Sequence, residues 1–95
     1  MFLENPPVAA QASSPLGCAQ LGFRGRIHAI RVTDGTSGLT PEELESRLIE
    51  LGFVEGAAVE ILHEGAIGRD PIAVRVDSAT IALRRREAMA IFVVE

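Results

Sequence analysis

The sequence predicts a mainly β fold, a small barrel of about five short strands carrying one α-helix near residues 40–51. Three observations predict it. Apolar residues alternate with a period of two in several short stretches, and only one segment, 41–51, shows helical spacing. The third is size: in a chain of 95 residues, a flat open sheet of five short strands would leave one apolar face and two edges exposed. Strongly bent strands close more economically, with the helix capping an open end.

Taken in order, residues 1–15 hold three prolines, paired serines and scattered alanines with neither periodicity. They read as a disordered tail, leaving 16–95 as a single folded domain. A first strand runs from Arg26 to Val32, and its apolar phase slips between Ala29 and Ile30, which suits a bulge. The helix has the clearest signals. Thr40 stands at the N-cap, Pro41 at the first helical position and Glu43 three residues after the cap, the pattern of a capping box. Leu39 and Leu44 occupy the positions of a hydrophobic staple, and Glu42 and Glu43 suit the positive end of the helix dipole. Leu44, Leu48 and Leu51 form one apolar stripe, and Gly52 supplies a left-handed stop. Phe53 and Val54 then make an apolar plug before the turn at Gly56.

Next comes a strand in which Val59, Ile61 and His63 share one face and Glu60, Leu62 and Glu64 the other. Asp70 and Pro71 start the strand of Ile72, Val74 and Val76, since a proline at the first strand position costs no ladder bond. Asp77-Ser78 is a two-residue turn into the strand of Ala79, Ile81 and Leu83. A short helical turn near 85–89 precedes a last strand from Ile91 to Val94.

Composition narrows the function. Hydrophobic residues make up 47% and charged residues 23%, an ordinary globular balance. The chain has nine Arg, no Lys and a net charge of −4, which disfavours nucleic-acid binding. Four Phe with no Tyr or Trp leave few stacking platforms for single strands and few rings for proline-rich peptides. The longest apolar run, Ala88 to Val94, is seven residues, against the ~20 that a membrane span needs. The first positive charge is Arg24, so no early basic segment marks a secretory signal. The expectation is a soluble, cytoplasmic protein.

Chemistry-bearing residues are sparse. Cys18 has no second cysteine to pair with, and there is no His-x-x-x-His pair. His28 and His63 are the metal candidates, and they could share an ion only if their strands are neighbours in register. No nucleophile has a base and an orienting group in a recognisable spacing, so the expectation is a non-enzyme without a cofactor. The segment from Asp34 to Gly38 lacks the strand, helix and lysine of a phosphate loop. Arg84, Arg85 and Arg86 form the one dense positive patch and are candidates for contact with an acidic partner. Arg47, on the helix flank, is placed to pair with Asp70 or Glu87.

From Leu16 onward the order of signals resembles the ferrous iron transport protein A (FeoA) domain family. The segments that carry the resemblance are Gly25-Arg-Ile, the run Arg47 to Gly56, Gly68-Arg-Asp-Pro-Ile72, Ile81-Ala-Leu-Arg84, and Glu87-Ala88 before the last strand. Two departures fall in one loop: Arg69 is inserted into the family's Gly-Asp-Pro, and Ala66 stands where a proline is common nearby. The resemblance implies an SH3-like barrel and a cytoplasmic accessory of ferrous iron uptake, docking on the cytoplasmic part of the GTPase-bearing transporter FeoB. It also marks Arg47, Gly52, Gly56, Asp70, Pro71 and Glu87 as structural motif positions. The alternative is a metal-sensing or regulatory domain of the iron-dependent repressor type, binding a transition metal directly. A mean hydropathy of +0.25 predicts an exposed apolar patch near the helix, drawn from Leu48, Ile49, Phe53 and Leu62, since Ile49 and Leu62 fall off the inward phase. Self-association is left open.

Overall fold

The computed structural model describes residues 12–33 and 38–95. The chain runs β1 (Ser14–Pro15), a 3-10 turn (Leu16–Cys18), β2 (Arg24–Ile30), α1 (Pro41–Glu50), β3 (Ala58–Glu64), β4 (Ile72–Val76), β5 (Ala79–Leu83), α2 (Arg85–Ala88) and β6 (Ile91–Val94). The strands form one antiparallel sheet in the order β1-β6-β2-β3-β4-β5. Curvature comes from β2, which serves two neighbours. Its first residues, Arg24 to Arg26, pair with β3, and Arg26 to Ile30 pair with β6.

The sheet curls around one apolar core, but among the described residues its ladder does not close, because β1 and β5 remain edges. Side chains complete the enclosure. Leu16 of the 3-10 turn, Leu44 and Leu48 of α1 and Ala88 of α2 are all buried with the inward residues of the strands. The arrangement is mainly β and SH3-like, with one strand more than the sequence suggests. That strand is a correction to the expected tail of 1–15. Ser14 pairs with Val93 and Pro15 with Phe92, so the ordered domain begins before Leu16. Two residues, one a proline, are too few to show a period. Residues 1–11 of the expected tail lie outside the described residues, as do residues 34–37 of the expected loop.

Helix α1 starts as its sequence dictates. The Glu43 amide donates to Thr40 Oγ1 at 3.1 Å, and the Thr40 amide donates to Glu43 Oε1 at 2.8 Å. Leu51 caps the helix and Gly52 follows at φ 107°, a conformation that favours glycine. The bulge in β2 is at His28, between Ile27 and Ala29, one to two residues earlier than the apolar pattern indicates. A second bulge, at Leu62 between Ile61 and His63, is not visible in the alternation. Beyond it the strand changes phase. Glu64 now stands opposite buried Ile72, and His63 opposite half-buried Ala73.

Candidate interaction surface

The end of α1 separates two kinds of apolar residue. Leu48 and Phe53 have no solvent exposure, so neither contributes to a surface patch, which corrects the sequence expectation. The helix stop explains this. The Phe53 amide donates to the Leu48 carbonyl at 3.0 Å, turning the chain so that both side chains enter the core. Ile49 is 45% exposed and Val54, across the same turn, is 43% exposed. Leu62, the bulge residue of β3, is half-buried. Ile49 and Val54 therefore form the apolar part of the surface at this end of the barrel. Val54 escapes sequence reading because it sits beside Phe53 in a turn without periodicity.

The arginine patch is divided by the fold. Arg85 is a structural residue whose guanidinium ties several segments together. Its Nη2 meets Glu64 Oε1 at 3.0 Å, an ion pair. Nη1 donates to the carbonyls of Gly17 and Ala19, and Nε to the carbonyl of Arg69 at 2.7 Å. The Arg85 amide donates to Asp70 Oδ1 at 2.8 Å. Asp70 thus anchors the start of α2 rather than pairing with Arg47. Glu87 reaches back to the Arg84 amide at 3.2 Å, an N-terminal cap of the same short helix. Arg47 is exposed on α1 and pairs with neither carboxylate. Arg84 and Arg86 are exposed. The corner is also close-packed, for a Cβ added to Gly17 would collide with the Arg85 carbonyl and Met89.

The two histidines do not meet. Arg24 pairs with Glu60 in the β2–β3 ladder, and the Gly22 amide donates to the Ile61 carbonyl. His63 therefore continues past one end of that ladder while His28 lies past the other. The rise of a strand puts them roughly 20 Å apart. Both are exposed, and among the described residues no three of His, Cys, Asp and Glu come together as metal ligands. A groove of about 470 Å³ crosses the outer faces of β2, β3 and β4. In it the ladder sets Glu60 between Arg24 and Arg75, with Arg26 and Asp77 beside them. Charges of both signs alternate there, which suits a polar contact surface more than an anion site. Sequence reading misses this row because its members come from three strands. No helix among the described residues is long and apolar enough to cross a membrane.

Solved structures share the fold. FeoA of Stenotrophomonas maltophilia, an SH3 domain protein complexed with zinc, is 28% identical over 83% of this chain and 87% of its own, with a TM-score of 0.67. Iron(II) transport protein A of Clostridium thermocellum is 31% identical over 84% of this chain and 44% of its own, with a TM-score of 0.67. A manganese-dependent transcriptional repressor is 24% identical over 90% of this chain and 42% of its own, with a TM-score of 0.69, a likeness of fold alone. No curated protein sequence matches. The FeoA domain model matches residues 14–95, starting at the first residue of β1. The chain belongs to the FeoA domain family, which is associated with ferrous iron transport.

Proposed function

We propose that the protein is a non-catalytic accessory of ferrous iron uptake that works in the cytoplasm by binding the soluble part of a FeoB-type, GTPase-bearing iron transporter. Family membership supports the pathway. For the S. maltophilia relative, a role as a ferrous iron transport activating factor is suggested. The observation that carries the mode of action is the pair of exposed apolar side chains, Ile49 and Val54, at the stop of α1. Leaving two such groups in water forgoes burial worth roughly 1–2 kcal/mol each, which a partner surface recovers. Rigid backbone holds them in place: the Gly52 amide donates to the Ile49 carbonyl, and the Val54 amide to the Gly52 carbonyl.

The test is calorimetric titration of the protein into the soluble GTPase-bearing part of the transporter. Saturable one-to-one binding is expected, lost in Ile49→Glu/Val54→Glu protein whose circular dichroism and melting are unchanged. No heat with the wild type removes the proposal. The zinc complex of the S. maltophilia protein favours a second reading, direct metal binding. Titration with zinc or ferrous ion checks it by following the His28 and His63 rings in NMR spectra. The separation of the two rings predicts that they do not respond together as one site.

A further inference from the structure

Two sulfur atoms converge where the 3-10 turn packs on α2. Cys18 ends the turn and Met89 caps α2; they are 71 residues apart in sequence, yet Cys18 Sγ lies 3.6 Å from Met89 Sδ. The chain has one cysteine and two methionines, the other being Met1, so its single thiol meets the one thioether beyond the first residue. Both groups are open to solvent. Cys18 is exposed, and Met89 is 42% exposed, although methionine is a residue type that folding usually buries. Backbone fixes the pair. Arg85 donates to the carbonyls of Gly17 and Ala19, on either side of Cys18. The Met89 amide donates to the Arg85 carbonyl at 3.1 Å, and a Cβ at Gly17 would come within 2.8 Å of Met89 Sδ, so the thioether rests against the turn. Cys18 also opens onto a cleft of about 510 Å³ that it shares with Ser14, Ala19 and Phe23.

We propose that Cys18 and Met89 are the two protein ligands of a site for a soft monovalent metal ion, copper(I). On binding, the Cys18 thiol releases its proton to solvent and ligates as thiolate, while the Met89 thioether gives a lone pair with no proton to lose. Two metal–sulfur bonds of about 2.3 Å, closing on sulfurs 3.6 Å apart, subtend roughly 100°. A small outward movement of either side chain therefore gives trigonal coordination. The third position faces the cleft, where a solute thiol or chloride completes the shell. The donor set selects the ion. Zinc takes four ligands of nitrogen, thiolate sulfur or oxygen, and among the described residues no group of three His, Cys, Asp or Glu supplies them. One thiolate with one thioether suits copper(I) instead. The site shares no residue with His28, His63 or the Ile49–Val54 strip, so it stands apart from both readings of function above.

Anaerobic titration of the reduced full chain with copper(I), in competition with a coloured copper(I) chelator, tests it. One ion per chain is expected, and X-ray absorption at the copper edge should show sulfur from both side chains. Cys18→Ser should abolish the binding. Met89→Leu keeps the thiol and the apolar bulk, and with an unchanged circular dichroism spectrum should weaken copper(I) binding at least roughly tenfold. The same substitution should leave any weak zinc binding as it was, because a thioether adds nothing to a zinc shell. Wild type that takes up no copper(I) overturns the proposal. An affinity that Met89→Leu leaves unchanged also overturns it, as adventitious binding to an exposed thiol only. So does an absorption spectrum that loses no sulfur neighbour in Met89→Leu, or a complex in which two chains share one ion through their cysteines.

Discussion

The corner around Arg85 and the strip at the end of α1 are built in opposite ways. At the corner, one half-buried guanidinium is satisfied by three carbonyls and a carboxylate, and a glycine is required because backbone comes within contact of it. At the strip, Ile49 and Val54 are left to water while Leu48 and Phe53, their neighbours in sequence, are sealed in the core. Polar groups are spent inside the fold at the first place, and apolar groups are held outside it at the second. The difference teaches where to look for function in this chain: charge is a poor guide, since its most conspicuous arginine is occupied with architecture, and misplaced hydrophobicity is the better one.

Substitutions sharpen the contrast. Within α1, Leu48→Ala should lower stability by about 3–4 kcal/mol, measured by urea unfolding, because it opens a cavity in a site with no exposure. Arg85→Ala should cost roughly 3 kcal/mol, since it strands Glu64 and three carbonyls without their donor. Arg85→Lys should restore less than half of that, for an ammonium cannot reproduce bonds made by Nε, Nη1 and Nη2 together. Gly17→Ala should cost about 2 kcal/mol by forcing the 3-10 turn away from α2. Ile49→Ala, beside Leu48, should change stability by less than ~0.5 kcal/mol. If Arg85→Ala proves as harmless as Ile49→Ala, the corner is not structural and the contrast is broken.

The sequence reveals this molecule unevenly, and the reasons are local. Helix α1 is legible because its start and stop use side chains that act within four residues, from Thr40 and Glu43 to Gly52. The inward set of β4, Ile72, Val74 and Val76, is legible because strict alternation survives in a strand without a bulge. At Leu62 the alternation is interrupted, so Glu64 changes face and meets Arg85, a pairing that no local pattern signals. The arginine run reads as a patch because charge density is local, whereas the role of Arg85 depends on bonds to positions up to 68 residues away. Burial likewise divides the expected patch, since Leu48 and Phe53 are turned inward by a helix stop whose direction in space only the fold defines.

The account rests on the surface at the end of α1 being the working part of the protein. Titrating the wild type and Ile49→Glu/Val54→Glu proteins against the transporter's soluble domain tests that most directly. The account predicts saturable binding by the first and none by an equally folded second, and equal binding by both would contradict it.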